Sequence, residues 1–197
     1  MYKYTDKILL YLRKRFIRLF GQFKTGTASF DELNVLSSAK SLYSELQAIT
    51  EECLLMIAQH AYRENGGKSG AKVNRAWLRK QLEAYDPVTM YVYLHEVDRK
   101  CARFAESVIA GTNKAKEIDT GLRYWSNMVS QYAITITDAA VLLAYVDEGV
   151  EMVRWVTEVD DRRCLECKKR HNQIYELSKV PPKPHPGCRC YLIPHWV

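Results

Sequence analysis

Four of the chain's six cysteines fall between positions 164 and 190, and a histidine lies among them. Cys164-Leu165-Glu166-Cys167 is a CxxC pair, and His185-Pro186-Gly187-Cys188-Arg189-Cys190 follows after a short intervening segment. A CxxC places two thiolates on one turn, so both can face one cation with little chain strain. A second Cys/His group returning to that turn completes a tetrahedral set. Sulfur and imidazole donors together suit zinc, whose charge offsets thiolates that would otherwise repel one another. The pattern predicts one structural zinc held by Cys164, Cys167, His185 and one of Cys188 and Cys190. Four protein donors leave no open position for a reacting water. A disulfide framework is the competing use of these cysteines. It is disfavoured because no secretory signal opens the chain: Arg13, Lys14, Arg15 and Arg18 interrupt the apolar residues before Phe23.

The elements that must position this cluster are read from periodicity. Ile8, Leu9, Leu12, Phe16, Leu19 and Phe20 recur at helical spacing and predict a helix over 5–23 with a basic opposite face. Ser29-Phe30-Asp31-Glu32 fits a capping box and predicts a helix over 30–64, buried along Leu33, Leu36, Tyr43, Leu46, Ile49, Cys53, Ile57 and Ala61. Asn65 to Gly70 reads as a loop; its GGKSG lacks the spacing and preceding strand of a phosphate-binding loop. Further helices are predicted over 74–84, from Asp86-Pro87 to 110, over 114–134 with a break near Gly121, and from Thr137-Asp138 to a Gly149 cap.

After Gly149 the texture changes. Val153, Trp155 and Thr157 alternate with Arg154, Val156 and Glu158 as a short strand would. Lys169 to Gln173 reads as a hairpin turn, with Ile174 and Tyr175 as the return strand. The fold class is therefore mainly α: a helical body over 1–150 with long helices, followed by a small β-hairpin zinc-binding module over 151–197.

Formal net charge is +6 over 197 residues. It is concentrated at both ends, with seven lysines and arginines against one acid in residues 1–24 and eight against four in 160–197. Basic ends point to an anionic partner, nucleic acid or an acidic protein surface, and Arg13, Lys14, Arg15 and Arg18 are the candidate contacts. No uninterrupted apolar run approaches the ~20 residues of a bilayer span, so no membrane role is expected and the cytoplasm is the expected compartment. No nucleophile elbow, HExxH or Walker motif is present, and no enzymatic activity is expected.

The stretch from Thr135 to Pro194 closely resembles the end of the phage head morphogenesis family, the Mu F-like minor head proteins. The residues that carry it are Thr135-Ile136-Thr137, Gly149, Trp155-Val156-Thr157, Asp160-Asp161-Arg162-Arg163-Cys164 with Cys167, and His185 through Cys190. The chain departs from that pattern at Asn172, where the family usually has glycine in the hairpin turn; asparagine also tolerates the left-handed conformation. The resemblance implies a minor capsid protein that associates with the portal inside the head and assists assembly and DNA packaging or ejection. Capsid or scaffolding protein and DNA without sequence preference are further partners under this reading. The virion, and the host cytoplasm during assembly, are the implied locations. The alternatives are a zinc-containing nucleic-acid-binding regulator and, behind it, an HNH-like nuclease suggested by His171-Asn172. The regulator should carry a recognition helix beside its metal, and the nuclease a second metal with a catalytic histidine.

Overall fold

The computed structural model describes residues 2–27, 30–84, 97–158, 163–185 and 188–196. Five helices build the body: α1 (Lys3–Gly26), α2 (Glu32–Glu64), α3 (Arg75–Ala84), α4 (Val97–Ala110) and α5 (Lys114–Asp147). A three-stranded antiparallel sheet follows, from β1 (Met152–Val156), β2 (Ile174–Glu176) and β3 (Tyr191–Pro194), with the short helix α6 (Leu165–Arg170) between β1 and β2.

The body forms because each long helix presents an apolar stripe to the same centre. From α1 come Ile8, Leu12, Phe16, Leu19, Phe20 and Phe23; α2, α4 and α5 close over them. Trp125 of α5 is fully buried, with the Tyr43 ring edge-on at 5.1 Å and Phe16 at 6.3 Å, and its indole N–H donates to Thr50. Phe104 of α4 packs against Phe20, Phe23 and Tyr43. These offset and edge-on pairs are the favoured aromatic geometries.

Several boundaries differ from the sequence expectation. The second helix begins at Glu32, and its N-cap is Asp31, whose carboxylate accepts from the Asn34 amide; Ser29 lies outside the described residues. Leu33 is 81% exposed, while Val35, Ala39 and Leu42 face the core, so the buried stripe is set differently in the first turns. The Asp86-Pro87 cap also lies outside the described residues; the helix it was expected to open is described from Val97 to Ala110.

The two helices predicted over 114–134 and from Thr137 are one continuous α5. The side chains that read as a cap are used sideways. Thr137 Oγ1 donates back to the Ala133 carbonyl and meets Thr5 Oγ1 at 3.1 Å, and Asp138 bonds Tyr2 and Lys183. Gly121 does not break the helix either. A Cβ there would come within 2.6 Å of the Phe104 ring, so glycine serves the close approach of α4. An 18-residue window of α5 has a mean hydropathy of 1.4, enough by length and composition for a membrane crossing. Half of that window is buried, where α5 packs against α1, α2, α3 and α4.

Gly149 does end α5. Its φ is +72°, the Val150 amide donates to Tyr145 O and the Gly149 amide to Val146 O, the two bonds of a Schellman cap. The turn points the chain into β1, whose Val153 and Trp155 face inward as the alternation predicted. Central β1 pairs with both other strands, Arg154 opposite Ile174 and Ile193. The expected hairpin is thus β1 and β2 with α6 in the connection, and β3 completes a sheet that the hairpin reading lacked.

Candidate metal centre

Each ligand candidate arrives on a different local device. Cys164 is the N-cap of α6: its Sγ accepts from the Cys167 amide at 3.3 Å, so capping and CxxC spacing are one arrangement. Cys167 sits in the first turn of α6 and is buried. After α6, Asn172 takes φ +64°, the left-handed conformation anticipated for it, and its amide donates to Trp155 O. The chain then runs through β2 and the prolines 181, 182 and 184 to His185. Cys188 and Cys190 are buried directly before β3, and His185 is exposed.

In space these residues come together. The ligand atoms of Cys164, Cys167 and His185 lie within 4.8 Å of one another, as do those of Cys167, Cys188 and Cys190. Cys167 belongs to both triads. Its Sγ is 3.6 Å from Cys188 Sγ and 3.8 Å from His185 Nε2. All six cysteines are free thiols, so the competing disulfide reading finds no bridge. The cluster could hold a metal ion.

Its electrostatics favour a cation. The hydrogen bond from the Cys167 amide, with help from Cys167 and His185 side chains, lowers the Cys164 thiol to about 7. Burial and the adjoining cysteines raise Cys167, and burial raises Cys188. Buried thiols packed this closely resist becoming thiolates together unless a positive charge joins them.

Residues that sequence reasoning passed over hold the cluster in place. Lys183 donates to the carbonyls of Cys188 (3.0 Å) and Cys190, to the Tyr2 hydroxyl (2.8 Å), and pairs with Asp138 of α5 (2.7 Å). Tyr2 donates to Asp138 Oδ1 at 2.8 Å. One ammonium therefore ties the last two cysteines to both α1 and α5. Burial holds the Asp138 carboxyl above its ordinary range, partly offset by Lys183. On the other side, Arg170 of α6 lies over the Trp155 ring at 5.2 Å and donates to Pro182 O. Trp155 and the buried cysteines form a small apolar cluster of their own. A lysine among prolines was the available signal for Lys183; nothing local marked its partners.

His171 is apart from the cluster. Its Nδ1 accepts the Thr157 amide at 3.2 Å, which fixes the turn beside β1. Of the basic candidates on α1, Arg13, Lys14 and Arg18 are exposed. Arg15 is half-buried and reaches Tyr11 Oη at 3.4 Å, so it departs from the solvent face.

No family model matches this chain, and no curated protein or solved structure matches it either.

Proposed function

We propose that the chain is a minor capsid protein of phage head morphogenesis, built around one structural zinc and associating with the portal inside the head. The observation that carries the reading is the motif series from Thr135 to Cys190, together with the way its members are used. Gly149 ends α5, Trp155 in β1 and Thr157 just beyond it are buried, Cys164 and Cys167 open α6, and Cys188 and Cys190 lead into β3. A zinc motif alone would not require the Thr-x-Thr, Gly and Trp-x-Thr positions.

Zinc fits the donor set. Tetrahedral bonds of about 2.3 Å place two zinc-bound sulfurs roughly 3.8 Å apart, close to the 3.6 Å between Cys167 and Cys188. Cys164, Cys167, His185 and one of Cys188 and Cys190 would hold the ion, which would supply charge neutralisation and rigidity to a segment with little core. The role is architectural: the module gives the helical body a stiff end, and the basic surface meets an anionic partner inside the head, portal protein first and DNA second.

Native mass spectrometry with metal analysis, on the chain alone and with its cognate portal protein, tests both parts. One zinc per chain and a stable portal complex are expected. Zinc without portal binding, joined by salt-sensitive binding to duplex DNA, would move the reading to a nucleic-acid-binding protein. Absence of zinc would remove the metal assignment.

A further inference from the structure

Helix α1 buries one side and leaves on the other a surface that is neither purely polar nor covered. Leu10 is 57% exposed, Tyr11 49% and Ile17 53%. Between α1 and α5 runs an open groove of about 410 Å³, with Leu10, Arg13 and Ile17 on the α1 wall and Arg123 and Asn127 on the α5 wall. Its floor is closed by Leu12, Phe16 and Val129, each nearly inaccessible.

We propose that this groove docks an acidic amphipathic helix of a protein partner. The argument is charge complementarity around apolar anchors. A cation stands on each wall. Among the described residues Arg13 forms no ion pair, and Arg123 donates to Thr120 of its own helix and pairs with no carboxylate. Lys14 and Arg18 extend the positive surface along α1. The one carboxylate lining the groove, Asp6, faces Arg189 at 3.5 Å. Ser126 and Ser130 donate back to carbonyls of α5, which leaves the two cations, with the neutral amide of Asn127, as the groove's polar groups. An incoming helix with leucines on one face and glutamates beside them would cover Leu10 and Ile17 and pair with both walls. Duplex DNA would satisfy the cations and leave the two aliphatics without a partner, so a protein helix is the better fit. The proposal deepens the assembly reading by naming a surface, and rests on it only for the identity of the partner.

The probe is a fluorescein-labelled synthetic helix with Leu at i, i+3, i+4 and i+7 and Glu at the flanking positions, titrated into the full chain. A lysine-for-glutamate version and a DNA duplex serve as comparisons. The acidic helix should bind, and the lysine version should not. Arg13→Glu with Arg123→Glu, and separately Leu10→Ser with Ile17→Ser, should each weaken binding about tenfold or more. Circular dichroism should stay unchanged, since all four side chains are at the surface. Exchange protection on binding should fall on residues 9–17 and 122–130. Equal binding of both peptides, binding that survives both double variants, or binding of the duplex alone with loss only in the charge-reversal pair would each overturn the proposal. Portal binding retained by both double variants would sink the groove and leave the assembly reading standing. No portal binding by the unaltered chain would sink that reading and leave the groove to the peptide result.

Discussion

The cysteines and the histidine were legible because ligand chemistry is local: type and spacing alone bring two thiols onto one turn. What spacing could not convey is that the two triads share one member. Cys167→Ser removes the sulfur common to both, so it should weaken metal binding most, whereas Cys164→Ser breaks one triad and should weaken it less. Cys190→Ser should match Cys164→Ser if Cys190 is the fourth ligand and leave binding intact if Cys188 is. Zinc content after dialysis against a competing chelator orders the three; full metal retention by Cys167→Ser would be incompatible with the site. Lys183 was illegible for the opposite reason. Its partners Tyr2 and Asp138 are distant in sequence, and only the fold brings them together. Lys183→Met keeps the packing of the side-chain stem and removes the charge. It leaves the Asp138 carboxylate and two backbone carbonyls short of a donor, at a cost of about 2 kcal/mol for this partly exposed pair. Chemical denaturation should show that loss, and a variant as stable as the parent would mean the ammonium holds nothing.

Among the elements, helices whose apolar positions recur over several turns were found by period alone, and α1 and α3 hold close to their expected limits. The errors came where one side chain can serve two purposes. Thr137 and Asp138 have the chemistry of an N-cap, yet in α5 they bond across to α1 and to Lys183, so the helix continues. β3 escaped because Tyr191 to Pro194 are all half-buried and show no alternation. Two glycines separate the reasons a helix needs that residue. At Gly149 a Cβ would meet nothing within 4 Å, so Gly149→Ala carries only the conformational penalty of φ +72°, about 1 kcal/mol. At Gly121 the backbone is ordinary helix, and alanine would gain about 1 kcal/mol of propensity. The contact at 2.6 Å with Phe104 costs roughly 1–3 kcal/mol in a packed core and outweighs it. Thermal melts should show both variants destabilised. A stabilised Gly121→Ala would mean α4 yields freely.

At the scale of the molecule, the change of texture after Gly149 coincides with the passage from α5 to the sheet, but the packing does not separate the two. Val150 and Val153 belong to the core of the helical body, Tyr145 of α5 donates to Leu192 O, and Tyr2 and Lys183 join both ends of the chain over the metal cluster. A separable module would lose its order on chelation and leave the body untouched. The observed contacts predict a different pattern. If the cluster holds an ion, removing it would free whichever of Cys188 and Cys190 binds it, the segment carrying their carbonyls would move off Lys183, and the Tyr2–Asp138 contact would lose its third member. Hydrogen exchange with and without chelator should therefore show loss of protection in 163–185 and 188–196 and also in the first turns of α1, with the Trp125 centre unchanged. Protection lost only after residue 163 would restore the independent module, and loss throughout α2 and α5 would make the metal a condition of the whole fold. The middle outcome is expected because the Lys183 cluster touches only the start of α1 and one turn of α5, whereas the Trp125 core is closed by side chains the metal never reaches.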